Sequence, residues 1–164
     1  MRDLVGRLPV VSGKAVRIQT RRGLRDRRGD IHGAAFLRAR QMAFDCTPSE
    51  FPRIFIHELF HFVWLRAGNP LRRSFEDVLR REWRAGHPGE FGWSSEWRKR
   101  ELRPSDIRLR SRRWREYCCE SFCDTAAWMY SGIGRHPEFT LAAVPRRTRR
   151  EWFEGAFASG RLSI

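Results

Sequence analysis

Arg53-Ile-Phe-Ile-His-Glu-Leu-Phe-His-Phe-Val-Trp-Leu-Arg66 is the stretch around which the rest of the chain is read. It contains His57-Glu58-Leu59-Phe60-His61, an H-E-x-x-H pattern. On an α-helix, positions i and i+4 differ by about 40° around the axis and one turn along it, so both imidazoles point the same way. Two neutral imidazoles on one face can hold two corners of a tetrahedral Zn²⁺, with Glu58 beside them as a general base toward a metal-bound water. Phe55, Ile56, Leu59, Phe60, Phe62, Val63, Trp64 and Leu65 make the segment apolar nearly all round, which predicts a buried helix. Ionisable groups inside a buried helix are costly unless paired, and a metal supplies that partner.

Working outward, Thr47-Pro48-Ser49-Glu50 and Pro52 carry helix-start chemistry, and Gly68-Asn69-Pro70 reads as the stop. Upstream, Ala15–Gln19 alternates apolar and polar as a half-buried strand does, Arg21–Asp30 reads as a loop or hairpin turn, and residues 31–37 and 40–45 read as two strands or one long bent one. Gly33-Ala34-Ala35 is short of side chains. Such a run lets another backbone approach, as an edge strand receiving a peptide must, or lets the strand pack closely under the helix. Ala34, Ala35 and Phe36 are the candidate substrate-binding positions.

Downstream, Phe75, Val78, Leu79 and Trp83 space an amphipathic helix over 74–85. Residues 94–102 predict a short helix, 103–110 a charged connection, 111–130 a second long helix and 145–158 a last one. The fold class is α+β: a small antiparallel or mixed sheet from residues 15–45 packed on the motif helix, with the helix of 111–130 crossing beneath. The whole chain, 1–164, reads as one domain.

A zinc site needs a third protein ligand. Candidates after His61 are His87, Glu120, Asp124 and His136. Glu120 lies on a helix otherwise apolar from Tyr117 to Tyr130, with Asp124 one turn further on the same face. Buried carboxylates need partners, so Glu120 is read as the ligand and Asp124 as acceptor of the free ring N–H of a zinc-bound histidine.

H-E-x-x-H followed by a helix bearing E-x-x-x-D resembles the gluzincin class of zinc metallopeptidases, and in compactness the minigluzincins and ImmA/IrrE-like peptidase domains. The resemblance covers roughly residues 31–131. It implies a zincin-like fold, peptide-bond hydrolysis, His57, His61 and Glu120 as zinc ligands, Glu58 as base and Asp124 as the partner behind them. The interval from His61 to Glu120 is longer than those domains usually show, which makes residues 70–110 an inserted helical segment between the ligand helices. The alternative is His87: Gly86-His-Pro-Gly-Glu-Phe91 looks somewhat like the third-ligand loop of SprT-like, DNA-associated metalloproteases.

Composition bounds the remaining possibilities. Lys+Arg number 33 against 19 Asp+Glu, for a net charge of +14. Such a surface attracts nucleic acid or acidic partners, so a basic nucleic-acid-binding or regulatory protein that keeps zinc without proteolysis stands as the rival class. The arginines are nonetheless spread along the chain rather than gathered in a block, as in an ordinary solvated surface. No apolar run approaches the ~18 residues of a membrane span, and the first residues lack the apolar core of a secretory signal, so a cytoplasmic setting without membrane partners is expected. Cys46, Cys118, Cys119 and Cys123 read as free thiols, and Tyr117, Tyr130, His136 and several arginines as possible oxyanion partners.

Overall fold

Gln41-Met42-Ala43-Phe44 breaks the alternation of a half-buried strand: three successive residues are buried. A strand hidden on both faces belongs at the centre of a sheet, and the computed structural model, which describes residue 4, residues 6–26 and residues 29–164, places it there. In chain order the elements are β1 (Val10–Ser12), β2 (Arg17–Thr20), β3 (Arg25–Asp26), β4 (Gly29–Asp30), β5 (Gly33–Phe36), β6 (Gln41–Phe44), α1 (Phe51–Arg66), α2 (Asn69–Arg84), α3 (Trp93–Glu101), α4 (Pro104–Arg108), α5 (Arg112–Tyr130), α6 (Ala143–Ala156) and β7 (Arg161–Ser163). The class is α+β, as expected.

The main sheet is mixed and runs β2-β6-β5. On one side β2 pairs parallel to β6, from Arg17↔Gln41 to Thr20↔Phe44. On the other β5 pairs antiparallel, from Gly33↔Phe44 to Phe36↔Gln41, so β5 is an edge. The loop or hairpin turn expected over 21–30 carries the antiparallel β3–β4 ladder, and its Arg27 and Arg28 lie outside the described residues. The sheet packs on α1 through β5 and β6, and α5 also packs on α1. Aromatic rings fill the junction of the helices. Phe122 of α5 lies 5.0 Å from Trp64 of α1, 5.5 Å from Phe75 of α2 and 5.0 Å from Phe153 of α6, centroid to centroid. Rings of this size dominate a small core, because each removes a large apolar area from water.

Three boundaries differ from the sequence expectation. Gly68-Asn69-Pro70 ends one helix and also starts the next: α2 begins at Asn69 with Pro70 in its first turn, where a missing N–H costs nothing. The charged connection holds α4, whose start is secured by the Asp106 carboxylate accepting the Arg103 N–H at 3.0 Å. Strand β7, unmarked by any periodicity, pairs parallel with β1 and buries Leu162 in the core.

Beneath the short helices lies a buried ionic network. Arg149 of α6, fully buried, donates to Glu82 of α2 (2.6 Å) and to Glu90 of the loop before α3 (2.7 Å). Glu90 also accepts from the Tyr117 hydroxyl (2.6 Å) and Ser121 (3.2 Å), and pairs with Lys99 (3.2 Å). A buried guanidinium needs such complete pairing. The network fixes the loop of residues 86–92 against α5, which matters for the site below.

Candidate metal centre

The i, i+4 geometry of α1 sets His57 and His61 on one face, with ring centroids 5.0 Å apart. Facing them, α5 presents Glu120 and Asp124, again one turn apart. The two carboxylates take different roles. Nδ1 of His57 meets Oδ1 of Asp124 at 2.7 Å, and Nε2 of the same ring lies 3.4 Å from Oε2 of Glu120. An ionised carboxylate only accepts, so Nδ1 carries the proton and Nε2 is turned toward Glu120 and the cleft.

Asp124 is itself held. It accepts from the Ser95 hydroxyl (2.6 Å), the Ser94 hydroxyl (3.2 Å) and the Ser95 backbone N–H (3.3 Å), at the N-terminus of α3 where a negative charge is favoured. Gly92 makes the room, since a Cβ there would stand 2.4 Å from the carboxylate. The buried network around Glu90 anchors the loop that brings Gly92, Ser94 and Ser95 into place.

Glu58, next to His57 in sequence, is buried, and the backbone of β5 passes directly over it. A Cβ at Gly33 would lie 2.5 Å from Ile54 and 3.0 Å from the Glu58 carboxylate. The glycine therefore lets the edge strand close on the helix at Glu58.

One ligand atom from each of His57, His61 and Glu120 lies within 4.8 Å of the others. All three, with Glu58 and Asp124, line a cleft of about 530 Å³ that also takes in Gly33, Ala34, Trp93, Trp97 and Arg98. Of the three positions expected to bind substrate, Ala34 lines this cleft, Ala35 packs on the core and Phe36 is exposed. His87 is not among the lining residues; its backbone N–H donates to the backbone carbonyl of Glu82 in the turn after α2. Tyr117 is spent on Glu90, Tyr130 stacks on Phe60, and His136 pairs with Glu50 at 3.1 Å. Arg53 is held between Glu50 and Glu138, whereas Arg98 reaches Glu120 at 3.3 Å. Gly92, Ser94, Ser95 and Arg98 carry no motif, and the only trace in the sequence is Ser-Ser at a helix start.

Electrostatics give the cluster its character. Burial works to discharge His57, but Asp124, Glu120 and Glu58 together hold it well above the ordinary imidazole range. His61, also opposed by burial, is lifted to about 9 by Cys119 and Glu120. Burial alone would raise Glu120, yet the bond from His57 and the charges of His61 and Arg98 keep it well below the usual carboxylate range. Glu58 is raised, mainly by burial. Three carboxylates thus converge on two imidazoles, a donor set whose negative charge suits a divalent cation better than two protons. The nitrogen and oxygen donors and the N···O spacing fit zinc.

Comparison with protein-family models, with curated proteins and with solved structures finds no match for this chain. Among the described residues no helix is long and apolar enough to cross a membrane.

Proposed function

We propose that this protein is a zinc-dependent metallopeptidase of zincin-like, gluzincin type, in which His57, His61 and Glu120 hold the metal and Glu58 is the general base. One observation carries the reading: Nε2 of His57 stands 3.4 Å from Oε2 of Glu120, with the ring fixed from behind by Asp124. Two donors on a tetrahedral Zn²⁺ with bonds of about 2.0–2.2 Å stand roughly 3.3–3.5 Å apart, so this pair is already spaced as two corners. A zinc ion in the cleft supplies Lewis acidity, polarising a peptide carbonyl and acidifying water.

The chain's own residues do the rest. Glu58, kept basic by its buried position, takes a proton from water in the cleft and passes it to the leaving amine. The open edge of β5 at Ala34 offers backbone groups to an extended peptide beside that base. Arg98, next to Glu120 in the cleft wall, is the cation placed to meet anionic charge developing on the carbonyl oxygen.

Zinc content and hydrolysis of an unstructured peptide library test the reading together. Glu58→Gln is expected to keep zinc while losing about 10²–10⁴-fold in turnover, and Glu120→Ala to lose zinc. Turnover untouched in Glu58→Gln sinks the peptidase. Zinc lost on His87→Ala but kept in Glu120→Ala replaces it by the SprT-like arrangement. A second reading, a zinc-retaining regulatory or nucleic-acid-binding protein, draws support from a groove lined by Arg146, Arg147, Arg150 and Trp128, suited to an acidic partner. On that reading Glu58→Gln changes nothing.

A further inference from the structure

His61 differs from His57 in what stands behind its ring. Among the described residues, the hydrogen-bond partner of its Nδ1 is no carboxylate but Sγ of Cys119, at 3.5 Å. Cys123, one turn further along α5, brings a second thiol to the same place, and one ligand atom from each of His61, Cys119 and Cys123 lies within 4.8 Å of the others. Both cysteines are free, Cys123 is fully buried and Cys119 half-buried. His61 lines the cleft and the thiols lie behind it.

We propose that Nδ1 of His61 and the thiols of Cys119 and Cys123 form a second metal site, one that takes a soft monovalent ion of the Cu(I) class and shares its imidazole with the carboxylate-bearing site. Two sulfurs and one imidazole nitrogen are soft donors, and soft thiolates select Cu(I). A closed structural zinc site needs four protein ligands, and this group offers three. Using Nδ1 leaves Nε2 of His61 for the cleft, so the two sites use opposite nitrogens of one ring. The ion enters and leaves as Cu(I), with no change of oxidation state. The two thiols give up their protons to solvent as the Cu–S bonds form. The copper site stands on its own residues and needs neither Glu120 nor peptidase activity.

The test is an anaerobic titration of the full chain with Cu(I) against a chromophoric Cu(I) chelator, with zinc measured in parallel. The wild type is expected to take up one Cu(I) per chain. Cys123→Ser and Cys119→Ser are each expected to weaken uptake by more than ~100-fold, beyond the ~10–100-fold that loss of a mere outer partner costs. Cys46→Ser, distant in the loop before α1, leaves copper affinity unchanged. Glu120→Gln weakens zinc and keeps copper, which separates this site from the zinc reading. X-ray absorption of the copper-loaded wild type covers the case of a variant that does not fold, and is expected to show two sulfur and one nitrogen neighbours. Absence of Cu(I) uptake by the wild type, uptake that survives Cys123→Ser, or a different donor set overturns the proposal.

Discussion

Asp124 is a point on which four donors converge: the His57 ring, two serine hydroxyls and a backbone N–H. Asparagine in its place turns an N–H₂ toward some of these donors and loses the charge that fixes the His57 tautomer. Asp124→Asn is therefore expected to weaken zinc by about 10–100-fold with the fold retained, read by competition with a chromophoric zinc chelator. Affinity equal to wild type would show that the ring needs no such partner. At this scale the residues with a spacing were visible in the sequence. His57 and His61 are one helical turn apart, as are Glu120 and Asp124, on helices too apolar for idle charges. Gly92 and Ser95 were not visible, because a residue that matters by making room or by offering one hydroxyl leaves no period behind. Gly33 was half visible: its run suggested close backbone approach, but not that Glu58 lay beneath.

Among the elements, α2, α3, α5 and α6 are tied to the loop of residues 86–92 by a network without apolar character. Glu90 is its hub. Burial alone would raise its carboxyl, but Arg149, with Lys99 and the Tyr117 hydroxyl, holds it at about 2 against an ordinary 4.5. A carboxyl whose folded value lies below its unfolded one contributes stability that is complete above the unfolded value. That contribution is lost as the pH falls through the folded one. Urea midpoints are thus expected to fall below about pH 4.5, with Glu90→Gln flattening that acid limb. Because the substitution also leaves Arg149 with one carboxylate in place of two, it is expected to cost about 3–5 kcal/mol at neutral pH. An acid limb unchanged in the variant would place its origin elsewhere. The sequence concealed this network. Arg149 sits in Arg146-Arg-Thr-Arg-Arg150, which has the look of a solvated charged face, and only the partners supplied by other elements explain its burial. The apolar periodicities of α2 and α6, by contrast, were legible, because they bury against the same aromatic junction.

Taken whole, the molecule joins α1 to α5 through rings and aliphatic side chains as well as through the cluster of His57, Glu120 and Asp124. On the zinc reading, chelation is therefore expected to leave a folded protein with a lower melting temperature, since a ligand bound only by the folded state adds RT ln(1 + [L]/Kd) to stability. Calorimetry with and without chelator checks this; collapse of the cooperative transition on chelation would make the ion a structural requirement. The +14 charge was plain in the sequence, but not its distribution. Several arginines are consumed in internal pairs, Arg53, Arg110 and Arg149 among them, while Arg147 and Arg150 face outward in a groove.

The parallel ladder of β1 with β7 joins residues 10–12 to residues 161–163. Bringing such distant stretches together costs roughly 4 kcal/mol of loop-closure entropy, repaid only after the helices between them have formed. The clasp is thus expected to form late in folding and to open early in unfolding, as pulsed hydrogen exchange of residues 10–12 and 161–163 would show. On that order Leu162, carried into the core by the last strand, closes an interior whose other walls come from the helices.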